Sequence, residues 1–219
     1  AGAAYSLITV TDTTTRLSTS TTKPFNVTFT GSNGISSNTF QKSLSLPALS
    51  GRVGPVSIGD LDGDGKNDVV VSDSGLAIYR NTSSGGTISF ATRIALANSA
   101  GTTATYDPGV GGTALADVDG DGRLDIVAVY MDDRVVAVYR NISTLGTIAF
   151  APPTKYATAQ YPSMVAVGDI NGDGRPDLAV SCSYGQMAQI FMNTSNGSQV
   201  SFAKTNEIAS SFCTGVSIA

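Results

Sequence analysis

Residues 60–68 read DLDGDGKND, residues 117–125 read DVDGDGRLD and residues 169–177 read DINGDGRPD. Each stretch places oxygen-bearing side chains at its first, third, fifth and ninth positions and a glycine at its sixth. That spacing suits a hard divalent cation. Calcium takes about six to eight oxygens, and a loop curled around it offers alternate side chains, one backbone carbonyl and a glycine where the bend is sharpest. The candidate ligands are Asp60, Asp62, Asp64, the carbonyl of Lys66 and Asp68; then Asp117, Asp119, Asp121, the carbonyl of Arg123 and Asp125; then Asp169, Asn171, Asp173, the carbonyl of Arg175 and Asp177. Position twelve, where an EF-hand carries a bidentate Glu, holds Val71, Ala128 and Val180, which excludes that motif and its flanking helices. Magnesium prefers fewer protein ligands and a strict octahedron. Ordinary Asp-Gly turns are the bland alternative, but they do not call for four such side chains in nine residues, an arrangement that is repulsive without a cation.

The acids of the chain are concentrated there. Eleven of its seventeen acidic residues lie in the three stretches beside three bases, while the remainder carries ten bases against six acids. Three calcium ions would move the net charge from −4 to about +2. The chain is net acidic and has no basic block, so a nucleic-acid partner is not expected. Absence of histidine removes the usual general base and the usual zinc ligand, which argues against an enzyme. With 219 residues, 41% of them apolar, there is room for one substantial core. No apolar run approaches the roughly 18 residues of a membrane span and no leader is evident, so a mature soluble chain without membrane insertion is expected.

The stretches begin 57 and 52 residues apart, a period characteristic of propellers and other arrays. After each come three short β-rich runs: DVVVSDS, LAIYRN and TISFATRIAL; DIVAVYM, VVAVYRN and TIAFAPPTKYA; DLAVSCS, AQIFMN and QVSFAKTNEIA. Asn81 to Phe90, Asn141 to Phe150 and Asn193 to Phe202 are each nine residues. Runs of this length bounded by Gly, Ser, Asn and Asp are strands and turns, and no convincing helical stretch exists. Each unit therefore reads as a four-stranded meander, with the acidic loop joining its first strand (VSIG, ALA or VAVG) to its second.

VSIGDLDGDGKNDVVV and VAVGDINGDGRPDLAV, with ALADVDGDGRLDIVAV between them, resemble the VCBS/FG-GAP-type calcium-binding repeats of integrin-like β-propellers over about residues 54–219. The resemblance implies an all-β propeller of four-stranded blades and calcium in each loop. It does not specify a function, because such modules serve adhesion receptors, lectins, secreted hydrolases and scaffolds.

At the ends, GVSIA resembles PVSIG, so residues up to Ala219 supply the first strand of a fourth unit. FNVTFTGSNGISSNTFQKSLSL resembles the second half of a unit, with Gly31 to Phe40 again nine residues. Three complete units plus a composite fourth blade built from both chain ends are expected. Residues 1–24 form a Ser/Thr-rich strand and arm, and residues 25–219 the propeller. Ser6 to Thr11 alternates like a strand, and residues 9–22 read as an extended, exposed arm. Three arrangements fit: a closed four-bladed ring, an N-terminal strand donated to a neighbouring molecule in a head-to-tail filament, or a fragment of a longer propeller.

Cys182 and Cys213 are a candidate disulfide tethering the last strand, with two buried thiols as the alternative. Sequons occur at Asn26, Asn81, Asn141, Asn193 and Asn196; those at Asn81, Asn141 and Asn193 recur at one structural position, where they either carry outward glycans or form turns. Asp132 and Asp133 read as turn residues, and Tyr79, Tyr139 and Phe191 as side chains packed between blades. The longest link between units, within Asn98 to Gly111, offers Tyr106 and Asp107 as contact candidates or is a passive loop. The expected function is a non-enzymatic extracellular or cell-surface calcium-binding propeller, structural or adhesive, forming homo-oligomers or filaments through its N-terminal arm. The alternatives are a lectin-like propeller that binds glycans and a non-catalytic module of a larger secreted protein; other surface proteins are further candidate partners.

Overall fold

The computed structural model describes residues 9–11, 18–20, 54–73, 75–96, 110–197, 199–209 and 215–218. The chain divides into two compact units, residues 1–46 and 47–219. In the first unit β1 (Thr9–Thr11) pairs antiparallel with β2 (Ser18–Ser20), Thr9 opposite Ser20. Of the arm expected over residues 9–22, these two paired strands are the described part, and the rest lies outside the described residues. The strands expected from residues 25–46, the sequon at Asn26, and Tyr106 and Asp107 of the long link lie outside the described residues.

The second unit is all-β, with no helix among its described residues; no helix long and apolar enough to cross a membrane is found there. It holds three four-stranded antiparallel blades, each a simple meander. Blade one comprises β3 (Val56–Gly59), β4 (Asp68–Asp73), β5 (Gly75–Tyr79) and β6 (Ile94–Leu96). Blade two comprises β7 (Val110–Ala116), β8 (Asp125–Tyr130), β9 (Val135–Tyr139) and β10 (Thr154–Ala157). Blade three comprises β11 (Pro162–Gly168), β12 (Asp177–Cys182), β13 (Met187–Asn193) and β14 (Phe202–Ala209). The long link ends earlier than its composition suggests, since Val110 and Gly111 already belong to β7.

Successive side chains of a strand point to opposite faces, and blade two uses both. Ile126, Ala128, Tyr130, Ala137 and Tyr139 enter a core shared with Leu61, Val70, Leu76 and Ile78 of blade one. Val127, Val129, Val136 and Val138 enter a second core with Val165, Leu178, Val180 and Phe191 of blade three. This explains why the middle strands are apolar throughout rather than alternating: both faces are covered. Burying each such side chain contributes roughly 1.5–3 kcal/mol, so blade-on-blade contact is the main cohesive term. Tyr79, Tyr139 and Phe191 are buried as expected.

The recurrent nine-residue spacing is a pairing register. Asn81 bridges Phe90, Asn141 bridges Phe150, and Asn193 pairs with Phe202 where β13 meets β14. Asp132 and Asp133 sit in the turn between β8 and β9.

First strands of consecutive blades lie side by side, β3 against β7 and β7 against β11. The Ser57 hydroxyl donates to the Thr113 carbonyl at 3.1 Å. Gly59 at the end of β3 faces Leu115 of blade two; Gly168 at the end of β11 faces Ile218 in the same way. Residues 215–218 thus dock on blade three at the position where each blade receives the first strand of the next. Ile170 in the loop of blade three is 40% exposed, whereas its counterparts Leu61 and Val118 are 1% and 2%. At the other end of the series Val56 and Ile58 of β3 are exposed.

Candidate metal centres

Each acidic loop joins the first strand of a blade to its second, and its carboxylates are held chiefly by its own backbone. In the first loop Asp60 Oδ1 accepts from the amides of Gly63 and Asp64 at 2.8 and 3.2 Å, and Oδ2 from Gly65 at 2.9 Å. Asp117 and Asp169 repeat the pattern with Gly120, Asp121 and Gly122, and with Gly172, Asp173 and Gly174. Gly65, Gly122 and Gly174 hold φ of 82°, 86° and 84°, a left-handed conformation that turns these amides inward and that other residues rarely adopt. The backbone hydrogen bonds, that from Gly174 foremost, hold the Asp169 carboxyl below its ordinary pKa.

The ninth-position carboxylates lie deepest; Asp68, Asp125 and Asp177 are fully buried at the start of each second strand. Asp125 Oδ2 accepts from the amide of Val118 at 3.0 Å and Oδ1 from that of Asn141 at 2.7 Å. Asp68 accepts likewise from Leu61 and Asn81, and Asp177 from Ile170 and Asn193. Burial pushes the Asp125 carboxyl up to about 6 and raises that of Asp68.

The structure brings carboxylate oxygens of Asp60, Asp62 and Asp68 within 4.8 Å of one another, and those of Asp117, Asp119 and Asp125 likewise. Asp64 and Asp121 stand beside these clusters in charge pairs. Arg80 binds both Asp62 and Asp64, and Lys66 binds Asp64 at 3.1 Å, the contact that chiefly lowers the Asp64 pKa. Arg140 binds Asp119 and Asp121, and Arg123 also binds Asp121. In the third loop the amide of Asn171 donates to Asp173 at 3.1 Å. The backbone nitrogens of Lys66, Arg123 and Arg175 donate to the fifth-position carboxylates at 2.9–3.0 Å. Converging carboxylates with glycine-turned backbone are a donor set that fits a hard cation.

The arginines escape a reading of the loops alone because they lie outside them, on the residue after the third strand. The signal is present in the repeat: Arg80 and Arg140 accompany an aspartate at the third loop position, whereas Met192 accompanies Asn171. One base and one acid are lost together, so the guanidinium answers that particular carboxylate.

The recurrent asparagines have a different place from the outward one expected of glycan carriers. Asn141 and Asn193 are 0% and 3% exposed. The Asn141 amide nitrogen donates to the carbonyls of Leu61 and Leu124 at 2.9 and 2.8 Å; that of Asn193 donates to Val118 and Pro176 at 2.8 and 2.9 Å. The nitrogens that would carry a glycan are consumed inside the protein, which corrects the expectation at both positions. The serine two residues on, which completes each sequon, serves the same turn: Ser83, Ser143 and Ser195 donate their amides to the asparagine Oδ1 at 2.8–2.9 Å. Asn81 donates to the Asn67 carbonyl at 2.9 Å. Cys182 is buried in β12, and its expected partner Cys213 lies outside the described residues.

Loops of this form on three successive four-stranded blades define a protein built of propeller-type repeats. Residues 60–128 and 117–180 match FG-GAP-like repeats, and residues 162–199 match the FG-GAP repeat. The chain belongs to the FG-GAP repeat family. No curated protein matches it.

Proposed function

We propose that this chain is an extracellular or surface-exposed calcium-binding propeller that acts by structure and adhesion, without catalysis, and assembles with further copies. The observation that carries the metal reading is the convergence of Asp60, Asp62 and Asp68, and of Asp117, Asp119 and Asp125, within 4.8 Å in loops of one design. Calcium suits these oxygen-only sets, and the third loop, with Asn171 in place of an aspartate, makes a third site of the same kind. Bound ions would offset the repulsion within each loop and fix the connection between first and second strands, so binding and folding are linked. The described acids outside the loops support a non-catalytic reading: Asp132 and Asp133 share one turn, and Glu207 is paired with Lys204 and Gln189. Assembly is supported by the apolar blade faces around Ile170 and around Val56 and Ile58, since an exposed face of this kind takes a partner strand or blade.

One feature favours a glycan-binding reading as the second choice. Tyr161 and Tyr184 of blade three are 43% and 70% exposed with ring centroids 4.5 Å apart, an aromatic surface on which a sugar ring can stack.

Calorimetric titration with calcium and with magnesium, followed by sedimentation of the calcium form with and without residues 1–24, tests the proposal. Calcium binding with a magnesium response at least tenfold weaker, and oligomers that depend on residues 1–24, are the expected results. No binding of either ion removes the metal reading. A species that stays monomeric in calcium removes assembly and directs attention to sugar binding at the tyrosine pair.

A further inference from the structure

The cation loops are not independent, because each is joined to the next by one buried asparagine. Asn141 belongs to blade two, and its amide nitrogen donates at 2.9 Å to the carbonyl of Leu61, which lies between Asp60 and Asp62 in the loop of blade one. The same nitrogen donates at 2.8 Å to Leu124, beside Asp125, while the Asn141 backbone nitrogen donates at 2.7 Å to the Asp125 carboxylate. Its carbonyl accepts from Arg123 Nε at 3.0 Å and its Oδ1 from Ser143. One side chain at 0% exposure therefore touches the loops of two blades and has no polar atom to spare. Asn193 repeats this from loop two, through Val118, to loop three, through Pro176 and Asp177.

Side chains reinforce the backbone link. Leu61 is buried in the core between blades one and two, and Val118 in the core between blades two and three. The first and second loops are thus each anchored to the following blade by their second residue, once through an apolar side chain and once through the carbonyl taken by the asparagine. A displacement of that residue moves the asparagine, and with it the ninth-position carboxylate of the next loop.

From these contacts we infer that Asn141 and Asn193 are positioning residues that couple the three cation loops in series, so that filling one loop raises the affinity of its neighbour. This rests on the calcium reading above. A filled first loop holds Leu61 in place, which fixes Asn141 and prepares Asp125 for its ion; Val118 and Asn193 carry the same effect onward. Coupling of this kind is reciprocal, so the third loop also reports on the second.

The test is a double-mutant cycle read by calcium calorimetry. Disabling loop one with Asp60→Asn and Asp62→Asn should weaken binding at the two remaining loops by about fivefold or more, the lower end of ordinary allosteric coupling. In an Asn141→Ala background the same loop-one changes should leave the remaining affinities unaltered. A merely structural asparagine would lower affinity uniformly and leave the effect of loop one unchanged, which overturns the inference. Asn141→Ser provides a milder second background. Hydrogen exchange of the otherwise native chain provides an independent reading: protection around residues 118–128 should fall when loop one is disabled, and unaltered protection overturns the coupling. Full calcium binding with no cross-effect sinks the coupling alone, whereas no calcium binding by the native chain sinks the parent reading with it.

Discussion

Gly112 of β7 runs against the backbone of Met164 in β11, so closely that a Cβ placed on Gly112 would stand 2.8 Å from Met164 Cα and 2.9 Å from the nitrogen of Val165. Backbone cannot yield as a side chain can. Gly112→Ala should therefore force the two first strands apart and cost about 1–3 kcal/mol, the usual range for overpacking. Gly59→Ala is the contrasting case: its new methyl would meet only the ends of Leu124 and Leu115, and the second repeat already carries Ala116 there. Urea denaturation of the two variants in calcium should separate them, with Gly59→Ala within about 1 kcal/mol of the parent.

The loops and the meander were legible in the sequence because their determinants are local. Four oxygens and a glycine in nine residues specify the turn, and the spacing from Asn81 to Phe90 is a hairpin register. What the sequence concealed depends on contacts between blades. The Asn141 to Leu61 hydrogen bond spans 80 residues, and the asparagine that makes it is disguised as a sequon because Ser143 completes its turn. The arginine pairs were hidden likewise, 18 residues from Asp62 in the case of Arg80 and 21 from Asp119 in the case of Arg140.

Removal of calcium should lower the melting temperature sharply. A site held at a hundredfold excess of ion over its dissociation constant contributes about 2.7 kcal/mol of stability. Differential scanning calorimetry in millimolar calcium and again after EDTA should show a fall that magnesium restores only in small part. An unchanged transition would mean that the loops fold without the ion.

Arg140 neutralises Asp119 and Asp121, the same carboxylates that the proposed calcium ion would take up. Arg140→Met, which copies the third repeat, leaves the buried Asp119 without its guanidinium, and the EDTA form should lose about 1–3 kcal/mol after allowance for the partial exposure of the arginine. The carboxylates then meet an incoming ion unencumbered, so the calcium-dependent gain in melting temperature should exceed that of the parent. A smaller gain would show that the guanidinium holds the carboxylates in position for the ion rather than standing in for it.

The buried Asp125 carboxyl sets opposite pH dependences for the cation-free and calcium forms. Burial pushes its pKa to about 6, above the value near 3.9 expected of the unfolded chain. Between those values the folded protein binds a proton that the unfolded chain does not, so this group's contribution favours the cation-free fold at low pH and is lost as the pH rises through 6. Asp68 is shifted in the same direction and acts with it. Calcium requires the ionised carboxylate, so the stabilisation by calcium should grow as the pH rises through the same window. Urea denaturation at pH 5 and pH 7.5, each with calcium and with EDTA, should give a larger calcium increment at pH 7.5. Asp125→Asn should flatten the EDTA dependence by removing the proton that the native fold retains, and a dependence unchanged by this substitution would assign the titration to another group.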